Sequence, residues 1–113
     1  MRRVAIPLLG VVALCTFLAA GARADDPPEI ALVIEKNRFS PAEIRVTAGK
    51  PFFLVITNKD GAPEEFESRD LKIEKIIPAG KTVRLKMPAL KRGTYGFVGE
   101  YHEKTAMGQI VAE

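Results

Sequence analysis

Apolar and polar residues alternate in short runs along most of this chain, and the period is that of a β-strand. Ile30, Leu32 and Ile34 alternate with Ala31, Val33 and Glu35, in a run rich in branched side chains that suit a pleat. From Glu43 to Ala48 the pattern returns, with Ile44 and Val46 facing in and Glu43, Arg45 and Thr47 facing water. Phe52 to Thr57 is almost wholly apolar, as a central strand would be, and Thr82 to Met87 sets Val83, Leu85 and Met87 against Thr82, Arg84 and Lys86. Thr94 to Val98 and Gln109 to Ala112 close the series. Glycine and proline punctuate it at Ser40-Pro41, Gly49-Lys50-Pro51, Asn58 to Pro63, Ala79-Gly80-Lys81, Pro88 and Gly93. Between the strands, Ser68 to Leu71 has room for one helical turn capped by Ser68 or Asp70, and no gap has helical length. Seven or eight short strands between such turns predict an all-β, Greek-key β-sandwich over residues 30–113, preceded by a flexible acidic leader at 25–29.

The first 24 residues break this pattern. Arg2 and Arg3 precede an apolar run from Ile6 to Ala20, and Ala22-Arg23-Ala24 carries small residues where a signal peptidase would cut. A cleavable signal peptide over residues 1–24 is the expectation, and with it a periplasmic location. Its removal would take Arg2, Arg3 and Arg23, so that the 17 basic side chains fall to 14 against 14 acidic ones. A formally neutral domain gives no reason to expect nucleic acid as a partner. Cys15 would leave as well, and it is the single cysteine. Disulfides and thiolate chemistry are then excluded from the remaining domain.

Candidate chemistry gathers on one loop. In YGFVGEYHEKTAMGQI, residues 95–110, the single histidine, His102, is flanked by Glu100 and Glu103 and followed by Met107. A methionine opening a closing strand also serves as core filler. A second polar cluster, Glu64-Glu65-Phe66-Glu67, combines three carboxylates with an aromatic side chain. A strand that buries Phe66 sends Glu65 and Glu67 to the opposite face. Two carboxylates on one face near a histidine suit a hard or borderline divalent ion, and they equally suit ion pairing with Arg69, Lys72 or Lys75. One histidine and no glycine-rich phosphate loop before a helix leave no parts for a hydrolase triad or a nucleotide site.

The segments FSPAEIRVTAGKPFFLVITN and YGFVGEYHEKTAMGQIVAE resemble the first and last strands of a cupredoxin. The resemblance covers the domain, but Gly99 stands where blue-copper members carry their cysteine ligand. It leaves His102 and Met107 in ligand positions and puts Glu65, with Glu64 as the neighbouring alternative, near the family's earlier histidine. EEFESRDLKIEK, PAGKTV and GTYGFVGEYHEKTAMG further resemble the cysteine-poor EfeO/FtrB-type cupredoxins of bacterial ferrous-iron uptake. That resemblance implies a periplasmic protein that binds a copper or iron ion, works with an iron permease and periplasmic iron-binding proteins, and helps oxidise Fe(II) before transport. The expected metal ligands are Glu65 and His102, then Met107, with Glu67 and Glu100 as further carboxylates read from the residues themselves. A passive copper or iron chaperone and a metal-free interaction module are the alternatives, and oligomeric state stays open.

Overall fold

A computed structural model describes residues 26–113 together with residues 2–5, 7, 10 and 13, so the expected signal peptide lies largely outside the described residues. The strands are β1 (Glu29–Glu35), β2 (Arg38–Ser40), β3 (Glu43–Val46), β4 (Phe52–Asn58), β5 (Glu64–Ser68), β6 (Ile73–Ile77), β7 (Thr82–Met87), β8 (Gly93–Gly99) and β9 (Met107–Ala112). A 3-10 turn, Glu100–His102, follows β8. Among the described residues the fold is all-β, with nine strands where seven or eight are predicted. Part of the difference is β2, three residues long, which the sequence pattern reads as a strand end.

Two sheets face each other, one in the order β2-β1-β4-β7 and the other β3-β9-β8-β5-β6. Antiparallel pairing dominates, but β1 runs parallel to β4 and β3 parallel to β9. The apolar run Phe52 to Thr57 is central as expected, lying between β1 and β7. Its outward Phe53 is covered by the Arg84 guanidinium, 3.5 Å from the ring centroid. Strand β1 begins at Glu29, inside the stretch expected to be a leader, because the Phe53 N–H donates to the Pro28 carbonyl and Glu29 pairs with Arg84.

Inward residues of both sheets form the core: Leu32, Ile34, Leu54, Ile56, Phe66 and Ile110 are fully buried. Each such side chain contributes about 1.5–3 kcal/mol through removal from water. Phe39, Phe66 and Phe97 pack together with ring centroids 5.0–6.1 Å apart. Because Phe66 lies opposite Gly99 in the β5–β8 register, this aromatic cluster underlies the start of the histidine loop.

The turn before β5 has its own anchor. Asn58 is buried, donates to the carbonyls of Ala62 and Ile77, and accepts from the Asp60 N–H. Those bonds close the polar turn Asn58 to Pro63 and deliver Glu64 to the sheet in a defined register.

Candidate metal centre

Strand β5 alternates strictly: Glu64, Phe66 and Ser68 point into the sandwich, while Glu65 and Glu67 are half-buried on the outer face. Burying Phe66 therefore separates the acidic cluster. Glu64 is carried inward with only 2% of its surface exposed. A carboxylate so placed requires partners, and it has three. One oxygen accepts the backbone N–H groups of Tyr101 and Glu65, each at 3.0 Å. The other lies 2.6 Å from His102 Nδ1.

The histidine loop is closed on itself around this carboxylate. Gly99 N–H donates to the Ala106 carbonyl at 2.8 Å, and Ala106 N–H donates to the His102 carbonyl at 2.8 Å. Gly99 is demanded by space: a Cβ there would lie 2.7 Å from both the Ala106 Cβ and the Glu64 carboxyl carbon. Glu64 and Ala106 thus fill the volume beside Gly99.

A second group of carboxylates lies on the outer face. Glu65 opposes Ile76 across the β5–β6 pair, which puts Glu74 on its diagonal. Glu100 approaches from the 3-10 turn, and oxygens of Glu65, Glu74 and Glu100 lie within 4.8 Å of one another. Hydrogen bonding and then like charge from Glu65 are the main causes that push the Glu100 carboxyl above its ordinary range, and the charge of Arg69 opposes them. The Tyr101 hydroxyl is also pushed up, first by desolvation and then by Glu65.

Glu67 and Met107 occupy a third place. In register, Glu74 faces Glu67, Glu67 faces Val98 and Val98 faces Met107, so these residues form one row across the outer face. Met107 is 52% exposed, which removes it from the core. It borders a cavity of about 450 Å³ shared with Glu67, Arg69, Asp70 and Glu103. Arg69 reaches Glu67 at 3.8 Å.

The expected ligands are therefore distributed. Glu65 and Glu100 come together, Glu67 and Met107 share the outer row, and the partner of His102 is Glu64 in place of Glu65. Strand parity is the reason, since a residue next to inward Glu64 must face out. Glu74, which the sequence reading does not single out, joins through an antiparallel register that only the fold supplies. Glu64 carried a legible signal: it has the same parity as Phe66.

Comparison with known proteins agrees with this architecture. The model of the cupredoxin-like domain family matches residues 8–112. The uncharacterized protein RP394 of Rickettsia prowazekii (strain Madrid E) is 34% identical over 87 residues, covering 77% of this chain and 70% of that protein. Auracyanin A, a "blue" copper protein from Chloroflexus aurantiacus, superposes with a TM-score of 0.65 at 16% identity, covering 76% of this chain and 99% of that one. The metal-binding domain of the Cu(I)-exporting P-type ATPase CopA of Streptococcus pneumoniae D39, solved with Cu(I), gives a TM-score of 0.64 at 16% identity, covering 75% and 84%. At such identities the structural matches establish the fold.

A thiolate-bound blue-copper centre does not fit the residues present. Gly99 supplies no sulfur, and the space a side chain there would need is taken by Glu64 and Ala106. The donors that the described residues offer on this face are carboxylate oxygens, one imidazole and the exposed Met107 thioether; the oxygens and the imidazole suit harder or borderline cations and the thioether suits Cu(I).

Proposed function

This chain belongs to the family of cupredoxin-like domains, and from that premise we propose that it is a periplasmic metal-binding protein of ferrous-iron uptake. It takes iron, or copper, through carboxylate oxygens on the outer face of the five-stranded sheet. The observation that carries this reading is the convergence of Glu65, Glu74 and Glu100 within 4.8 Å. Carboxylates at that separation repel one another, Glu65 pushes the Glu100 carboxyl up, and a cation relieves the repulsion. Iron in this reading is cargo, handed towards an iron permease and its periplasmic binding partners. The resemblance of EEFESRDLKIEK and GTYGFVGEYHEKTAMG to iron-uptake cupredoxins supports that assignment, and so does the signal-peptide pattern of residues 1–24.

Titration calorimetry and metal analysis test the binding step, using anaerobic Fe(II) and separately Cu(II). Wild-type protein is expected to hold one ion, and the Glu65→Gln/Glu74→Gln/Glu100→Gln variant to lose more than about tenfold in affinity, at least what removal of a supporting group produces. Unchanged affinity in the folded triple variant rejects the site. Fe(II) oxidation by copper-loaded protein, compared with buffer holding the same free copper, separates an oxidase from a passive carrier.

A further inference from the structure

His102 is the single histidine of the chain, and its Nδ1 has a defined partner. Nδ1 is 2.6 Å from a Glu64 oxygen, and the side chain keeps 33% of its surface exposed while Glu64 keeps 2%. The other Glu64 oxygen already accepts the Tyr101 and Glu65 N–H groups. An ionised carboxylate only accepts, so the bond between it and the imidazole runs from the ring N–H to the oxygen. A buried carboxylate with three N–H partners has no reason to donate.

We propose that Glu64 is a positioning residue that holds His102 as the Nδ1–H tautomer and so leaves Nε2 as the ring's free donor atom for a metal ion. Metal would then meet the imidazole from outside the Glu64–Gly99–Ala106 cluster and not from within it, where Glu64 and Ala106 leave no room beside Gly99. The carboxylate does for the ring what an outer-shell partner does in metal sites generally: it sets the tautomer and orientation and raises the basicity of the opposite nitrogen. The final step, metal on Nε2, rests on the metal-binding reading above. The tautomer does not.

Substitution by glutamine gives a sharp test because it keeps shape and changes donors. In Glu64→Gln the side-chain carbonyl stays with the two backbone N–H groups, so its NH₂ must face Nδ1. The ring must then accept at Nδ1 and carry its proton on Nε2. Two-bond ¹H–¹⁵N NMR of the single histidine, recorded where the ring is neutral, reads this directly. Wild type is expected to show protonated Nδ1 and bare Nε2, and Glu64→Gln the reverse. Addition of Zn(II), which is diamagnetic, is expected to shift Nε2 in wild type, with affinity about 10–100-fold lower in the variant.

An Nε2–H ring in wild type, an even mixture of tautomers, or a Zn(II) shift at Nδ1 overturns the proposal. Should Glu64→Gln fail to fold, the wild-type tautomer and the shifted nitrogen still decide. Zn(II) that binds without moving either ring nitrogen leaves the carboxylate site standing and rejects Nε2 as a ligand. Absence of any binding rejects the metal reading while the tautomer is judged by itself.

Discussion

Gly99→Ala is expected to be among the most damaging single-methyl additions in this domain. The new Cβ would lie 2.7 Å from the Ala106 Cβ, 2.7 Å from the Glu64 carboxyl carbon and 2.9 Å from its Oε2. Carbon atoms in contact prefer about 3.5–4.0 Å, so neither neighbour can stay. Ala106 is fully buried and Glu64 is held by three hydrogen bonds, so neither has a free direction of retreat. Overpacking of this kind costs about 1–3 kcal/mol. Displacing Glu64 also weakens hydrogen bonds to a charged group, worth about 1.5–3 kcal/mol each. A loss of about 2–5 kcal/mol follows, or at least about 10 °C in Tm for a domain of this size. Urea unfolding followed by circular dichroism measures it, with Gly61→Ala, where nothing lies within 4 Å of the added methyl, as the neutral control. Adding Ala106→Gly removes one of the two collisions and should recover part of the loss. A Gly99→Ala variant as stable as the control would show that the Glu64 packing is wrong.

Other substitutions probe separate parts of the structure. Asn58→Ala leaves the Ala62 and Ile77 carbonyls without their donor, and denaturant unfolding should report a loss of about 1–3 kcal/mol; a change below about 0.5 kcal/mol would remove Asn58 as the anchor of the turn. For Glu100, a folded-state pKa above the unfolded one gives stability that is present at low pH and lost as pH rises through the carboxylate range and beyond. Metal-free Glu100→Gln should therefore be more stable than wild type at neutral pH and flatter in Tm against pH, and identical profiles would refute the repulsion from Glu65. Met107→Ala should leave stability within about 0.5 kcal/mol because the side chain is half exposed, and calorimetry with Cu(II) should find the carboxylate site unchanged. Gly99→Cys should give no blue colour with Cu(II), and an intense visible copper–thiolate band would show that the loop can open around a sulfur ligand.

Fold and site differed in how far they could be read from the residues alone. Period-two alternation is a local property, so the inward sets Leu32 with Ile34 and Ile44 with Val46 were legible and are buried, whereas the unbroken apolar run of β4 did not mark Leu54 and Ile56 as its inward side. The outer-face carboxylate group was not legible, because it depends on which strands become neighbours. Glu74 reaches Glu65 only through the β5–β6 register, and the row from Glu74 to Met107 crosses four strands. Met107 illustrates the limit well. Its position in the loop is that of a ligand in the resembling family, yet strand β9 starts at that residue and turns it outward, leaving Ala106 to point inward.

Glu64 is the instructive case, because the rule that places it was available. If Phe66 is core, then Glu64 shares its side of the strand, and an inward carboxylate must find donors or not be there. Three donors exist nearby only if the histidine loop folds back over the end of β5, which fixes where Tyr101 and His102 must lie. The same carboxylate explains why position 99 is glycine, since any larger residue would compete with it for volume. In this member of the family the end of the sandwich is organised around a buried glutamate packed beside Gly99, the position that the resemblance aligns with a blue-copper cysteine. In the proposed function a cation therefore comes to the outer carboxylates or to Nε2, and the loop that carries Glu100 and His102 is the scaffold for both.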